Sequence, residues 1–219
     1  MFFTFGTPLK LTDLGLTCPD IRELKQKTQI AVIDDKAFLR ASSLRSHGFN
    51  IVELGGEISS VDQVMAFPIV VCDIKDVGKA FGSSFEGAHV LAEIRKAFPD
   101  KYLISYSGSE YDVSYNDNLS KADKSATKDA QTEYWVALLE AGLKAVGDPK
   151  ERWIRFRKIL LEKGIDLYEI FKLEQAFVKS LVKKDQSIMA KAVVPDEVKD
   201  VVKAFASVAL VQIIEMIGK

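Results

Sequence analysis

Three short apolar runs in this chain stop abruptly at an acid or a hydroxyl. Ile30-Ala-Val-Ile33 ends in Asp34-Asp35, Ile69-Val-Val-Cys72 ends in Asp73, and Tyr102-Leu-Ile-Ser-Tyr106 ends at Ser107. Runs this short and this uniformly apolar read as strands buried on both faces, the habit of a parallel sheet covered by helices. The segments between them fit that frame. Lys36 to Ser46 reads as a helix with Phe38, Leu39 and Leu44 on one face, and His47-Gly48 stops it. Asn50 to Leu54 is a second strand, Ser59 to Met65 a short helix, and Gly87 to Phe98 a longer helix carrying Val90, Leu91 and Ile94. A weaker fifth strand is expected around Asp117 to Ser120, before a long helix from about Ala126 to Val146.

Alternating strands and helices predict a doubly wound α/β layer structure. In such sheets the ligand site lies at the carboxyl ends of the strands, where the strand order reverses. On this reading those ends carry Asp34, Asp35, Asp73, Ser107 and Lys121. Carboxylates crowded into one crevice repel one another unless a cation joins them, and Mg²⁺ suits a few carboxylates, a carbonyl and waters. An aspartate in that setting can attack phosphorus and form an acyl phosphate. An ammonium and a hydroxyl would then neutralise and bind the transferred oxygens, tasks for which Lys121 and Ser107 are the right chemical types.

These residues resemble the receiver domains of two-component response regulators. The resemblance runs from about Gln29 to Val146 through Val32-Ile-Asp34-Asp35, Val71-Cys-Asp73-Ile, Phe85-Glu-Gly87 with Leu91-Ala-Glu-Ile94-Arg-Lys, Ile104-Ser-Tyr-Ser107-Gly108, and Leu119-Ser-Lys121. It implies a flavodoxin-like doubly wound parallel sheet of five strands. It makes Asp73 the phosphoacceptor, with Mg²⁺ held by Asp34, Asp35, Asp73 and the backbone carbonyl of Lys75. Ser107 and Lys121 would contact the phosphoryl group. The implied activity is self-phosphorylation and dephosphorylation rather than turnover of a separate substrate. The implied partners are a histidine kinase or phosphotransfer protein as donor, and a protein output partner or a second copy of the chain. Four departures stand out. The loop 74–86 is longer than usual, and the span from Ser107 to Lys121 is short, so the fourth helix is expected to shrink to a turn. Ala122 replaces the usual proline, and Tyr115 is the candidate for a missing switch aromatic. Output is therefore expected through the 74–86 loop or the tail. A fainter likeness of Val70-Val-Cys-Asp73 to haloacid-dehalogenase phosphatases stops at Lys75, where that family has a second acid.

The 219 residues, 47% of them hydrophobic, suffice for one sizeable core with a smaller unit attached. The expected division is an N-terminal extension (1–28), the receiver-like domain (29–148) and a small all-α C-terminal segment (149–219). Residues 1–149 carry 16 Lys+Arg against 21 Asp+Glu, and residues 150–219 carry 14 against 10, so an acidic front precedes a basic tail. In the tail, basic residues interleave with Trp153 and Phe156 over Lys150–Lys158. One reading of that stretch is a phosphate-contacting helix of a nucleic-acid-binding regulator. The other is an amphipathic helix with Trp153, Phe156 and Leu160 inward and its arginines solvated. A phosphorylation-independent adaptor is the remaining alternative.

Val201 to Ile217 is apolar but carries Lys203 and Glu215, so a bundle helix or an interface is expected there rather than a membrane span. Nucleic acid and membrane are thus not the expected partners. Two cysteines, Cys18 and Cys72, with Cys72 in a core strand, argue against a disulfide framework and for a reducing cytoplasm. His47 and His89 stand singly, without metal-ligand spacing.

Overall fold

The computed structural model describes residues 8–14, 19–108 and 116–217. Cys18 and Tyr115 lie outside them. Five parallel strands form one sheet: β1 (Gln29–Ile33), β2 (Asn50–Glu53), β3 (Ile69–Asp73), β4 (Tyr102–Ser107) and β5 (Lys124–Thr127), in the spatial order β2-β1-β3-β4-β5. That order is the flavodoxin-like one, with its reversal between β1 and β3.

Side chains alternate strictly across β1, β3 and β4. Ile30, Val32, Ile69, Val71, Tyr102, Ile104 and Tyr106 face a layer built from α1 (Ile21–Lys27), α2 (Ala41–Ser46) and the long helix Thr132–Gly147. Ala31, Ile33, Val70, Cys72 and Leu103 face α3 (Glu86–Ala97) and a 3₁₀ turn, Val61–Val64. One helical turn, α4 (Asn116–Leu119), precedes β5, and α5 (Thr132–Gly147) closes the layer. Cys72 is buried and free, on the face away from Asp73's neighbours Val71 and Ile69.

The structure corrects two sequence boundaries. The helix expected from Lys36 begins only at Ala41, because the amide of Lys36 turns to Asp34 Oδ1 (3.0 Å) and that of Phe38 to Glu53 (3.0 Å). Phe38 is consequently buried while Leu39 is 80% exposed. The fifth strand is Lys124–Thr127, not 117–120, and the following helix starts at Thr132 rather than Ala126. The segment between Ser107 and the true strand end is therefore seven residues longer than the Lys121 reading allows. Its described part still holds only the single turn α4.

The tail forms a second core. Asp148 caps α6 (Pro149–Glu162) by accepting from the Lys150 amide at 2.8 Å, with Pro149 at the first helical position. Gly164, at φ 73°, ends that turn, and α7 (Leu167–Lys183) and the short α8 (Ser187–Ala190) follow. Then α9 (Asp196–Ala204) runs through a π-turn at Phe205–Ala209 into α10 (Leu210–Ile217). Trp153, Phe156, Leu160, Phe177, Phe205, Leu210 and Ile213 pack together. The last helix is thus core of the helical unit. Leu9, Leu11 and Leu14 pack on that unit too, and the Leu9 backbone bonds the Gln175 side chain at 2.8 and 2.7 Å.

Trp153, Phe156 and Leu160 do point inward, and Arg157 is exposed, but Arg152 and Arg155 are not free in solvent. Arg152 is 1% exposed and paired with Asp100, and Arg155 pairs with Asp123. Two of the five basic side chains of α6 thus dock the tail to the sheet, while Lys150, Arg157 and Lys158 stay exposed. Among the described residues no helix is long and apolar enough to cross a membrane.

Candidate functional site

At the switch point of the sheet, β1 hands the chain to Asp34 and Asp35, and β3 ends in Asp73. One carboxylate oxygen from each of the three lies within 4.8 Å of the others. Asp34 and Asp73 are buried and Asp35 is exposed. Two glycines permit this crowding. A Cβ on Gly56 would come within 2.9 Å of the Asp35 backbone, and one on Gly87 would meet the Asp73 carbonyl oxygen at 1.8 Å. Any side chain at 87 would push α3 off the end of β3.

Lys128 faces the two buried acids, while Lys36 reaches Asp35 at 4.0 Å. The Lys128 Nζ lies 2.5 Å from Asp73 Oδ2 and 3.6 Å from Asp34 Oδ2. Lys128 is the first residue after β5, and its amide donates to the Ser107 carbonyl at 2.9 Å, which fixes its stem at the carboxyl edge. Lys121, the lysine expected from the sequence, lies before β5 at the opposite edge of the sheet. Its carbonyl accepts from Arg95 (3.1 Å), in a pocket shared with Arg155 and Lys158. The site lysine is Lys128, and Asp129 rather than Ala122 follows it.

Ser107 is buried at the end of β4, one position past Tyr106, which is in register with Asp73. The Asp73 carboxylate is also held by backbone: Oδ1 accepts from the Ile74 amide at 2.8 Å and faces the Lys75 amide at 3.5 Å. The 74–86 loop that follows is an anchored structure. Val77 is fully buried, Gly78 donates to the Gly56 carbonyl at 3.0 Å, and the Asp76 amide bonds Glu86 at 2.9 Å.

Tyr106, placed by the sequence in the fourth strand without a role, also lies at these acids. Its hydroxyl donates to Asp34 Oδ2. Strand alternation carries the signal for it, since Ile104 and Tyr106 share a face with Ile30 and Val32.

The electrostatics separate the two buried acids. Burial raises the Asp73 carboxyl above its ordinary value, and Asp34 adds to the effect, while Lys128 offsets only part of it. Burial acts the same way on Asp34, but the Tyr106 hydroxyl, the Lys36 amide and Lys128 outweigh it and hold that carboxyl below its usual range. Burial disfavours the charged form of Lys128 as well, yet its bond to Asp73 and the charges of Asp73 and Asp34 raise it and keep it cationic. Burial and the bond to Asp34 keep the Tyr106 hydroxyl protonated. Burial likewise pushes the Cys72 thiol up, leaving it an inert core residue.

No family model matches the sequence, and no curated protein does. Solved structures do show a likeness. A CheY-like response regulator receiver domain from Methanospirillum hungatei is 18% identical over 53% of this chain and 93% of its own, with TM-score 0.44. The signal receiver domain of an HD domain-containing protein from Pseudomonas fluorescens is 14% identical over 60% of this chain and 93% of its own, with TM-score 0.46. Full-length FixJ from B. japonicum is 16% identical over 88% of this chain and 98% of its own, also with TM-score 0.46.

Proposed function

We propose that this protein is a phosphorylation-dependent signalling protein in which Asp73 accepts a phosphoryl group with Mg²⁺ bound. The observation that carries the reading is a charge imbalance: three converging carboxylates at the switch point meet Lys128, held against two of them, and Lys36, which reaches only Asp35 at 4.0 Å. Asp34, Asp35 and Asp73, with the Lys75 carbonyl, would hold the ion. The donor set is all oxygen and suits a hard divalent cation. When bound, the ion would neutralise the acids and part of the incoming phosphoryl charge.

The remaining work falls to the chain itself. Burial makes the Asp73 carboxylate more basic and so a better nucleophile. One of its oxygens bonds phosphorus as the bond from phosphorus to the donor's leaving group breaks, and the leaving group departs with that electron pair. Lys128 already touches Asp73 and would turn to the phosphoryl oxygens, with the Ser107 hydroxyl beside them. The donor would be a histidine kinase or a phosphotransfer protein, and the output a protein partner or a second copy of the chain.

The test is incubation with acetyl phosphate, with and without Mg²⁺, followed by intact mass. Wild type gains one phosphate only with Mg²⁺, and Asp73→Asn gains none while keeping its circular dichroism. Wild type that gains no phosphate from any small donor and binds no Mg²⁺ in calorimetry would leave the phosphorylation-independent adaptor as the reading.

A further inference from the structure

Resting on the reading of the acid cluster as a cation site, we propose that Tyr106 is a positioning residue for that cation: its hydroxyl locks the Asp34 carboxylate in the orientation that receives it. Both oxygens of Asp34 hold a protein donor, the Lys36 amide on Oδ1 at 3.0 Å and the Tyr106 hydroxyl on Oδ2. Two donors on opposite oxygens fix the carboxylate plane, and each oxygen keeps a lone pair for a further partner.

The tyrosine itself cannot swing. Its ring meets Phe38 edge-on at 5.4 Å and Trp135 at 5.8 Å, and those two rings meet each other at 5.2 Å. Lys128 Nζ sits 5.2 Å above the same ring, so one side chain contacts both the acid and its counter-charge. A small cavity of about 130 Å³ opens among Asp34, Phe38, Tyr106 and Lys128 on the side of the 36–40 loop, so the locked carboxylate borders open space.

Packing alone does not account for the hydroxyl. A phenylalanine would fill the same space between Phe38 and Trp135 without requiring a buried partner. Ligating carboxylates are themselves held by hydrogen bonds, and losing such support typically weakens metal binding by about 10-fold to 100-fold.

The test is calorimetric titration of the full chain with Mg²⁺. Manganese titration followed by the free-ion paramagnetic resonance signal covers variants too weak for calorimetry. Tyr106→Phe should keep native circular dichroism and bind either ion about 10-fold or more weakly. In an Asp34→Ala background the same substitution should change Mn²⁺ affinity by no more than about twofold, because the carboxylate it acts on is gone. Unchanged or tighter binding by Tyr106→Phe overturns the proposal, as does an equal loss in both backgrounds. A lower melting temperature of the metal-free protein with unchanged affinity assigns the hydroxyl to packing and overturns it too. If wild type binds neither ion, the cation-site reading itself falls and takes this role with it.

Discussion

The two poles of the sheet are built from the same residue types and put them to different uses. At the carboxyl pole Asp34, Asp35 and Asp73 converge with Lys128 between two of them. At the amino pole, where the tail docks, Asp100 is buried against Arg152, and Asp123 takes Arg95 at 2.7 Å, Arg155, and the Leu103 amide at 2.8 Å. The surplus at the amino pole is cationic, and backbone absorbs it. Lys101 donates to the carbonyls of Met65 (2.8 Å) and Phe67 (2.7 Å), and Arg95 donates to those of Pro99 and Lys101. The surplus at the carboxyl pole is anionic, with only a few amides to meet it. Acids outnumbered by guanidinium and ammonium groups make a joint; acids that outnumber their cations create a demand for one.

Breaking the joint gives the largest expected effect. Arg152→Met would strand Asp100, whose carboxyl burial pushes upward but which Arg152 and Lys101 hold below its ordinary value. Leaving one partner of a buried pair alone typically costs about 3–5 kcal/mol. Urea unfolding of the two proteins measures it, and a loss under about 1 kcal/mol would mean the amino pole is not a matched joint.

Lys101 sharpens the contrast through pH. Burial pushes its ammonium from 10.5 down to about 8, against the pull of Asp100. Between those values the unfolded chain holds a proton that the folded one has released, so stability rises with pH across the window. The penalty acts in full below about 8 and is gone above about 10.5. A gain on the order of 2–3 kcal/mol is expected over that range. Denaturant midpoints from pH 8 to 10.5 should climb in wild type relative to Lys101→Met, and parallel curves would refute the assignment.

At the carboxyl pole the sign reverses. Asp73 is raised by burial, so its charge disfavours the fold at neutral pH, and that cost is relieved as pH falls through its folded value. Asp73→Asn should therefore leave metal-free stability within about 1 kcal/mol of wild type, on the stabilising side, since the lost Lys128 contact offsets the lost burial cost. Saturating Mg²⁺ should stabilise wild type, by about 2.7 kcal/mol at a hundred times its dissociation constant, and the variant less. Melting curves with and without Mg²⁺ decide this, and a large metal-free loss would make the site a second matched joint.

The sequence disclosed these poles unequally. β1, β3 and β4 are buried apolar runs that end in polar residues, so their positions and the acids after them were legible. Lys124-Ser-Ala-Thr127 is an edge strand with one buried side chain, Ala126, and it has no apolar run to mark it. Its residues, followed by Lys128 and Asp129, pass for the start of a helix, and that hid the site lysine. The arginines of α6 failed for another reason. Periodicity puts Arg152 and Arg155 on the polar side of Trp153 and Phe156, and nothing local says that this side covers Asp100 and Asp123, some 50 and 30 residues away. Tyr106 was within reach, since counting by twos along β4 places it on the face of Ile30 and Val32.

The smallest expected effect separates the two lysines. Lys121 follows the single turn α4, and its amide bonds the Asn118 carbonyl at 3.1 Å. Its carbonyl takes Arg95, and a backbone group survives any side-chain change. Truncating an exposed lysine away from caps and buried pairs moves stability by no more than about 0.5 kcal/mol. Lys121→Ala should therefore unfold like wild type, bind Mg²⁺ equally and take phosphate from acetyl phosphate at an unchanged rate. Lys128→Ala removes the charge beside Asp73 and should slow the same reaction by about 100-fold, the scale of losing one preorganised charge or donor. Timed intact-mass measurements on both variants rank them. If Lys121→Ala were the slower of the two, the lysine that serves Asp73 in solution would not be the one 2.5 Å from it here.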